Sequence, residues 1–93
     1  MEVVVNHAAD IAMRSLGDED RRKVSAWFDY LRNWENDPFV RSKSRKLKLP
    51  EPENVYVLRT STDIRLFFTL SEDRIEVIDI ARRESLVTIG QAS

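Results

Sequence analysis

The sequence contains no cysteine, which excludes disulfide bonds and thiolate metal sites. It has one histidine, His7, whereas zinc sites in proteins usually draw on several nitrogen or sulfur ligands. We therefore expect neither a metal nor another cofactor. Two glycines and three prolines are too few for a collagenous, linker-rich or low-complexity protein.

Long hydrophobic runs are also missing. No stretch approaches the roughly 20 apolar residues that a membrane-spanning helix needs. The first six residues have neither the basic start nor the apolar run of a secretory signal. The sequence therefore predicts a cytoplasmic protein that does not contact a membrane.

The composition that is present indicates a single globular domain over residues 1–93. Hydrophobic residues make up 42% and charged residues 33% of the chain, which is typical of a folded protein. The net charge is only −1, but residues 41–48 contain five cations and no acid. Such a run is either a solvated loop or a surface for phosphate or an acidic partner.

A strand and a helix are predicted at the start of the chain. Residues 2–5 are rich in β-branched side chains, which favour a strand. Asn6 can then accept a hydrogen bond from the first turn of a helix over residues 7–16. Gly17 is expected to end this helix, because glycine adopts the left-handed conformation without a steric penalty.

A second helix is predicted from Asp18, as its N-cap, to the helix-breaking pair Asp37-Pro38. Its apolar positions recur at helical spacing, at Val24, Trp27, Phe28, Leu31 and Trp34. The short connection predicts an antiparallel helical hairpin. Because both tryptophans lie on the apolar stripe, their position favours the core over a ligand platform.

The second half of the chain is predicted to be a basic loop followed by strands. Residues 39–54 are basic and carry Pro50 and Pro52, which favours an extended loop, with or without a short extra turn. Three strands with short turns between them are expected at residues 55–60, 64–70 and 74–81. The predicted class is α+β, in the order β-α-α-β-β-β, with the helical hairpin on one face of a small, mainly antiparallel sheet.

Arginine is the only residue type whose placement points to chemistry. Arg59 closes the first strand of the meander, Arg65 lies inside the second, and Arg82 and Arg83 follow the third. Guanidinium groups grip phosphate bidentately and stabilise the charge that develops during phosphodiester cleavage, and the 2′-hydroxyl of RNA can supply the nucleophile. The alternative is structural, with Arg59 and Arg65 paired to Asp63, Glu76 or Asp79 across the sheet.

Several segments, in this order, together resemble the RelE/ParE superfamily of bacterial toxins from Val3 to about Leu86. They are the strand that leads into residues 6–10, the helical hairpin, and residues 45–49, 55–59, 64–68 and 75–84. The resemblance is to an aromatic-led strand ending in arginine, then a strand that bears an arginine, then a last strand followed by arginine.

The resemblance implies roles for individual basic residues. In the ribosome-dependent ribonuclease branch, Arg65 and Arg83 would act catalytically on the phosphate, with Arg82 in place of Arg83 if the match is shifted by one residue. The residues that would hold the RNA backbone are Arg45, Lys46, Lys48, Arg59 and Arg82. Two positions depart from that branch: Val55 and Val57 stand where its well-known members have lysines, and no tyrosine follows Tyr56.

Three functions stay open at this point. The first is a toxin that cleaves mRNA on the ribosome without a metal. The second is a ParE-like toxin that inhibits DNA gyrase by protein contacts, and the third is a small protein-binding module. The toxin functions imply a cognate antitoxin with acidic residues, and either a homodimer or a toxin–antitoxin hetero-oligomer.

Overall fold

Three helices pack on one face of a five-stranded mixed sheet in the computed structural model, which describes residues 1–48 and 54–82. The elements are β1 (Glu2–Val5), α1 (His7–Arg14), α2 (Asp18–Arg32), α3 (Pro38–Lys43), β2 (Ser44–Lys46), β3 (Val55–Arg59), β4 (Ile64–Leu70) and β5 (Arg74–Arg82). The predicted α+β class is confirmed. Residues 84–93, for which the sequence gives no clear element, lie outside the described residues, as does Arg83.

The strands follow the order β1-β5-β4-β3-β2 across the sheet. β3, β4 and β5 pair antiparallel in sequence, as the predicted meander requires. β1 joins β5 in parallel at one edge, and β2 joins β3 antiparallel at the other. The extra strand β2 falls in the basic segment.

The core lies between the helices and one face of the sheet. On β4, alternate residues are buried, because the side chains of a strand point to opposite faces. The buried cluster consists of Ala9, Leu16, Val24, Leu31, Val40, Leu58, Ile64, Leu66, Phe68, Ile75, Val77 and Ile80. Both tryptophans pack against this cluster and are half-buried, so their predicted position at the core is confirmed, although Trp34 lies beyond the end of α2 and not on its apolar stripe. No helix among the described residues is long and apolar enough to cross a membrane.

The connection between α1 and α2 differs from the prediction. Helix α1 ends at Arg14, and Gly17 has φ −66° and ψ 164°, which is extended and not left-handed. The guanidinium of Arg21 donates to the carbonyl oxygens of Met13 (3.4 Å) and Leu16 (2.8 Å). These bonds satisfy carbonyls at the helix end, so a left-handed glycine is not needed.

The start of α2 is shifted by one residue from the prediction. Gly17 occupies the N-cap position without a side-chain bond, and Asp18 is the first helical residue. Asp18 instead pairs with Arg21 one turn later, at 3.1 Å. Its carboxylate still lies at the positive end of the helix dipole, where a negative charge is favourable.

The predicted end of α2 at Asp37 was wrong, because the helix stops at Arg32. The following turn lets Trp34 pack edge-on against Tyr56 and Phe68, at centroid distances of 5.9 and 5.7 Å. Helical periodicity reports only neighbours within one helix, so it could not predict this contact between Trp34 and the sheet.

The predicted loop over residues 39–54 allowed only a short extra turn, whereas its first part forms the helix α3 and the strand β2. The carboxylate of Asp37 accepts a hydrogen bond from the Phe39 N–H at 2.9 Å, and Pro38 occupies the first turn. Proline is favoured there because its missing N–H would have no partner in the helix. The Asp37-Pro38 pair therefore begins the helix α3 and does not end α2, which stops at Arg32.

A β-bulge divides β5. Phe67 pairs with Asp79 while Phe68 pairs with Val77, so Ile78 is an extra residue. The bulge changes which residues of β5 face the helices.

Candidate phosphate-binding site

A cationic recess lies on the outer face of the sheet, which is the face opposite the helices. It has a volume of about 300 Å³ and is lined by Lys43, Arg45, Val57, Arg59 and Arg65. Four of these five described residues are cations and none is an acid. A recess of this composition suits a phosphate group.

Strand pairing places the lining side chains together. Arg45 on the edge strand β2 lies directly opposite Val57 on β3. Arg59 at the end of β3 lies directly opposite Arg65 on β4. Lys43 is the last residue of α3 and reaches the same recess from the sheet edge. Residues far apart in the chain therefore converge through the meander and β2.

Arg65 is held in place by the turn between β3 and β4. Its Nη1 donates to the carbonyl oxygens of Ser61 (3.2 Å), Thr62 (3.3 Å) and Ile64 (3.4 Å). The side chain is half-buried, whereas Arg45 and Arg59 are exposed. These bonds fix the position of the guanidinium, which is what preorganised binding of an anion requires.

Three of the four cations that line the recess have no acidic side chain as an ion-pair partner among the described residues. Among the described residues, Lys43, Arg45 and Arg59 form no salt bridge, so the alternative of Arg59 paired to Asp63, Glu76 or Asp79 is not realised. Like charges directly opposite each other, as in the Arg59–Arg65 pair, are destabilising in a sheet. A bound anion would remove that repulsion.

The structure does not bring all the predicted site residues together. Lys46 lies opposite Tyr56, whose ring stacks on Phe68, so it belongs to the helix-side face. Lys48 is exposed beyond β2 and is not among the residues that line the recess.

Arg82 is separated from the recess by the bulge in β5. It pairs with Ile64 on the buried face and approaches Asp20 of α2, with 3.8 Å between Nη2 and the carboxylate. The predicted grouping of Arg82 with Arg59 and Arg65 is therefore not found. Arg83 lies outside the described residues, so its predicted catalytic role stays a prediction.

Lys43 was missed as an individual site residue. It lies in the basic run that the sequence singled out, but a cation at the end of a short helix gives no separate signal. In the part of the chain that the structure describes, no three histidine or acidic side chains form a group that could hold a metal ion. The absence of a cofactor stays a prediction.

The chemistry available at the recess is therefore electrostatic. Several guanidinium and ammonium groups can bind a phosphodiester and stabilise the charge that develops when it is attacked. No imidazole or carboxylate lies among the described lining residues to act as a general base.

The sequence matches no protein-family model and no curated protein. Its fold is similar to that of solved toxins. RelE of Pyrococcus horikoshii, solved as a RelE–RelB complex, is 22% identical with a TM-score of 0.69, over 88% of this chain and 93% of that one. A YoeB/ParE toxin from Agrobacterium tumefaciens is 23% identical with a TM-score of 0.66, over 89% and 99%. YafQ of E. coli, from a DinJ–YafQ complex, is 14% identical with a TM-score of 0.67, over 91% and 96%. The chain therefore has the fold of the RelE, YoeB and YafQ toxins, as the sequence predicted.

Proposed function

We propose that this chain is the toxin of a toxin–antitoxin pair and cleaves mRNA on the ribosome without a metal ion. The observation that carries the proposal is the cationic recess on the outer face of a RelE-like fold. Four cations around a small recess suit the phosphate of a nucleic-acid backbone better than they suit an apolar protein contact.

In the proposed reaction the RNA supplies its own nucleophile. The 2′-oxygen forms a bond to phosphorus while the bond from phosphorus to the 5′-oxygen breaks. The proton of the 2′-hydroxyl passes to water, and water protonates the departing 5′-oxygen. Arg65, fixed by the turn carbonyls, stabilises the added charge on the phosphate, while Arg45 and Arg59 hold the backbone. Arg83 is proposed as the second catalytic arginine.

The valine at position 57 does not contradict this proposal, because a neighbouring arginine supplies a positive charge to the recess. The family resemblance places a lysine there, and this chain has valine. Arg45 lies directly opposite Val57 on the edge strand and lines the same recess. The positive charge is thus supplied from the neighbouring strand.

A cognate antitoxin is part of the proposal. RelE and YafQ are each named in a complex with a partner, RelB and DinJ respectively. For this chain we propose a partner whose acidic segment covers the cationic recess and competes with RNA. If the chain arrests growth as proposed, co-expression of such a partner should relieve the arrest.

The proposed activity is tested by expressing the chain in growing bacteria and following mRNA by primer extension, with plasmid supercoiling measured in the same cells. We expect new cleavage sites within translated messages and unchanged supercoiling. Arg65→Ala and Arg83→Ala should each abolish the cleavage while the protein stays folded.

Other outcomes would contradict the proposal in distinct ways. Intact messages with relaxed or broken plasmid DNA would favour the gyrase-inhibiting toxin. Intact messages with normal DNA would leave a toxin-like fold with a binding function. Cleavage that persists in both arginine variants would overturn the arginine-centred mechanism.

A further inference from the structure

An aromatic cluster lies on the helix side of the sheet and consists of Trp27 and Tyr30 on α2 with Phe39 on α3; Lys43 connects it with the cationic recess on the other face. The rings of Trp27 and Phe39 are stacked, with 5.8 Å between centroids and 12° between planes. Tyr30 is tilted against both, at 5.1 Å from Trp27 and 5.9 Å from Phe39. Each of the three rings therefore lies against the other two.

Two of the three rings are exposed, whereas the ring of Trp27 is half-buried against the core. Tyr30 is 43% exposed and Phe39 is 47% exposed. The opposite pattern holds for Tyr56 and Phe68, whose stacked rings pack into or against the core. A contiguous exposed aromatic surface on a small protein commonly marks a binding site.

A hydrogen bond from Trp27 to the sheet holds the aromatic cluster in place. The indole Nε1 of Trp27 donates to the carbonyl oxygen of Thr60 at 3.3 Å. Thr60 is buried, and its hydroxyl donates to the Ile64 carbonyl at 3.2 Å. The platform is therefore anchored to the β3–β4 connection, the same connection whose carbonyls hold Arg65.

Lys43 joins the cluster to the recess. Its Nζ lies 5.6 Å from the centroid of the Phe39 ring, and the same side chain lines the cationic recess. Lys43 therefore lies against an exposed ring and also lines the recess in which the proposed function places a phosphate. Positive charge interleaved with aromatic rings is the combination that binds single-stranded nucleic acid.

We propose that the aromatic cluster stacks an unpaired base of the RNA whose phosphate occupies the cationic recess. This inference rests on the proposed function and adds a subsite to it. Phe39 and Tyr30 take the base, and Lys43 bridges the base and the backbone. The continuity with the cations favours RNA as the occupant over a protein segment.

The test compares two ligands that share a backbone: a short labelled oligoadenylate, and an abasic ribose-phosphate oligomer of the same length. Affinities of the whole protein are measured by fluorescence anisotropy at several salt concentrations. Phe39→Ala should weaken oligoadenylate binding by about tenfold, the size of one lost stacking contact. Binding of the abasic oligomer and the salt dependence of both should not change.

Two variants serve as controls. Phe39→Trp keeps an aromatic platform and should restore oligoadenylate binding. Ile11→Ala removes another exposed apolar side chain, 52% exposed, from α1. Helix α1 contacts β5, whereas α3 contacts β2 at the far edge of the sheet, so this change should leave both affinities unaltered. Circular dichroism melting confirms that each variant is folded.

The possible results separate the two proposals. Equal oligoadenylate binding by the wild type and Phe39→Ala would overturn the stacking site and leave the proposed function standing; a surface used only by a protein partner would give this result. An equal loss for both oligomers would also overturn it, because Phe39 would then act only by placing Lys43. A wild-type protein that binds neither oligomer would overturn the inference, whereas the proposed cleavage on the ribosome is overturned only if primer extension finds intact messages.

Discussion

Arg45 and Lys46 are adjacent cations on the short strand β2, and their side chains lie on opposite faces of the sheet. Arg45 lines the recess, whereas Lys46 lies opposite Tyr56 on the helix side. We expect Arg45→Ala to weaken RNA binding and to lower the salt slope by about 0.7 for the lost phosphate contact. The measurement is RNA affinity as a function of salt concentration.

Lys46→Ala is the matched control, because it removes the same charge from the neighbouring position. It should change neither the salt slope nor the growth arrest. Equal losses in the two variants would show that the basic run acts only through its net charge.

Arg65 and Arg82 form a second matched pair. Arg65→Lys keeps the charge but loses the planar fork, and it should reduce mRNA cleavage strongly. Arg82→Ala removes a partly exposed ion pair with Asp20, so it should cost about 0–1 kcal/mol of stability and leave cleavage intact. Primer extension and thermal melting measure the two effects. Loss of cleavage in Arg82→Ala with normal melting would place the active surface elsewhere.

Single residues were predictable from the sequence to different degrees. The alternation around Arg65 is local, so its face could be read from Ile64 and Leu66. The faces on which Lys46 and Arg82 lie could not be predicted from the sequence. The face of Lys46 depends on the pairing of β2 with β3, and that of Arg82 depends on the bulge in β5. Both depend on contacts between segments distant in the chain.

At the scale of elements, the short helix α3 supports both the recess and the aromatic cluster. Asp37→Ala removes the side-chain cap that accepts from the Phe39 N–H and should cost about 1 kcal/mol of folding free energy. Urea denaturation measures this loss. Asp29→Ala, at an exposed carboxylate paired with Arg32, is the control and should have a smaller effect. Equal midpoints for the two variants would contradict a capping role for Asp37.

The main elements were predictable from local patterns, and the smaller ones were not. Strands β3, β4 and β5 carry strong β-branched or alternating sequences, so their bounds agree within one residue. Strand β2 is three residues long and polar, and it exists because β3 offers an edge. The start of α3 did have a signal in the sequence, since aspartate suits the N-cap and proline the first helical position.

For the whole molecule, stability and the candidate site lie on opposite faces of one sheet. Phe68 is fully buried, so Phe68→Ala should cost about 3–5 kcal/mol. That is a large share of the roughly 5–15 kcal/mol that stabilises a typical domain. Phe67 is half-buried on the outer face, so Phe67→Ala should cost clearly less. Denaturant unfolding of both variants checks this, and equal losses would show that the outer face is equally important for stability.

The bulge at Ile78 has a consequence for any sequence built on this fold. Before it, Ile75 and Val77 face the core, whereas after it Ile80 and Arg82 lie on that side. The pattern of apolar and polar positions therefore changes phase within a single strand. A designed or aligned sequence that kept one uninterrupted alternation through β5 would leave Ile80 exposed and turn Asp79 toward the helices.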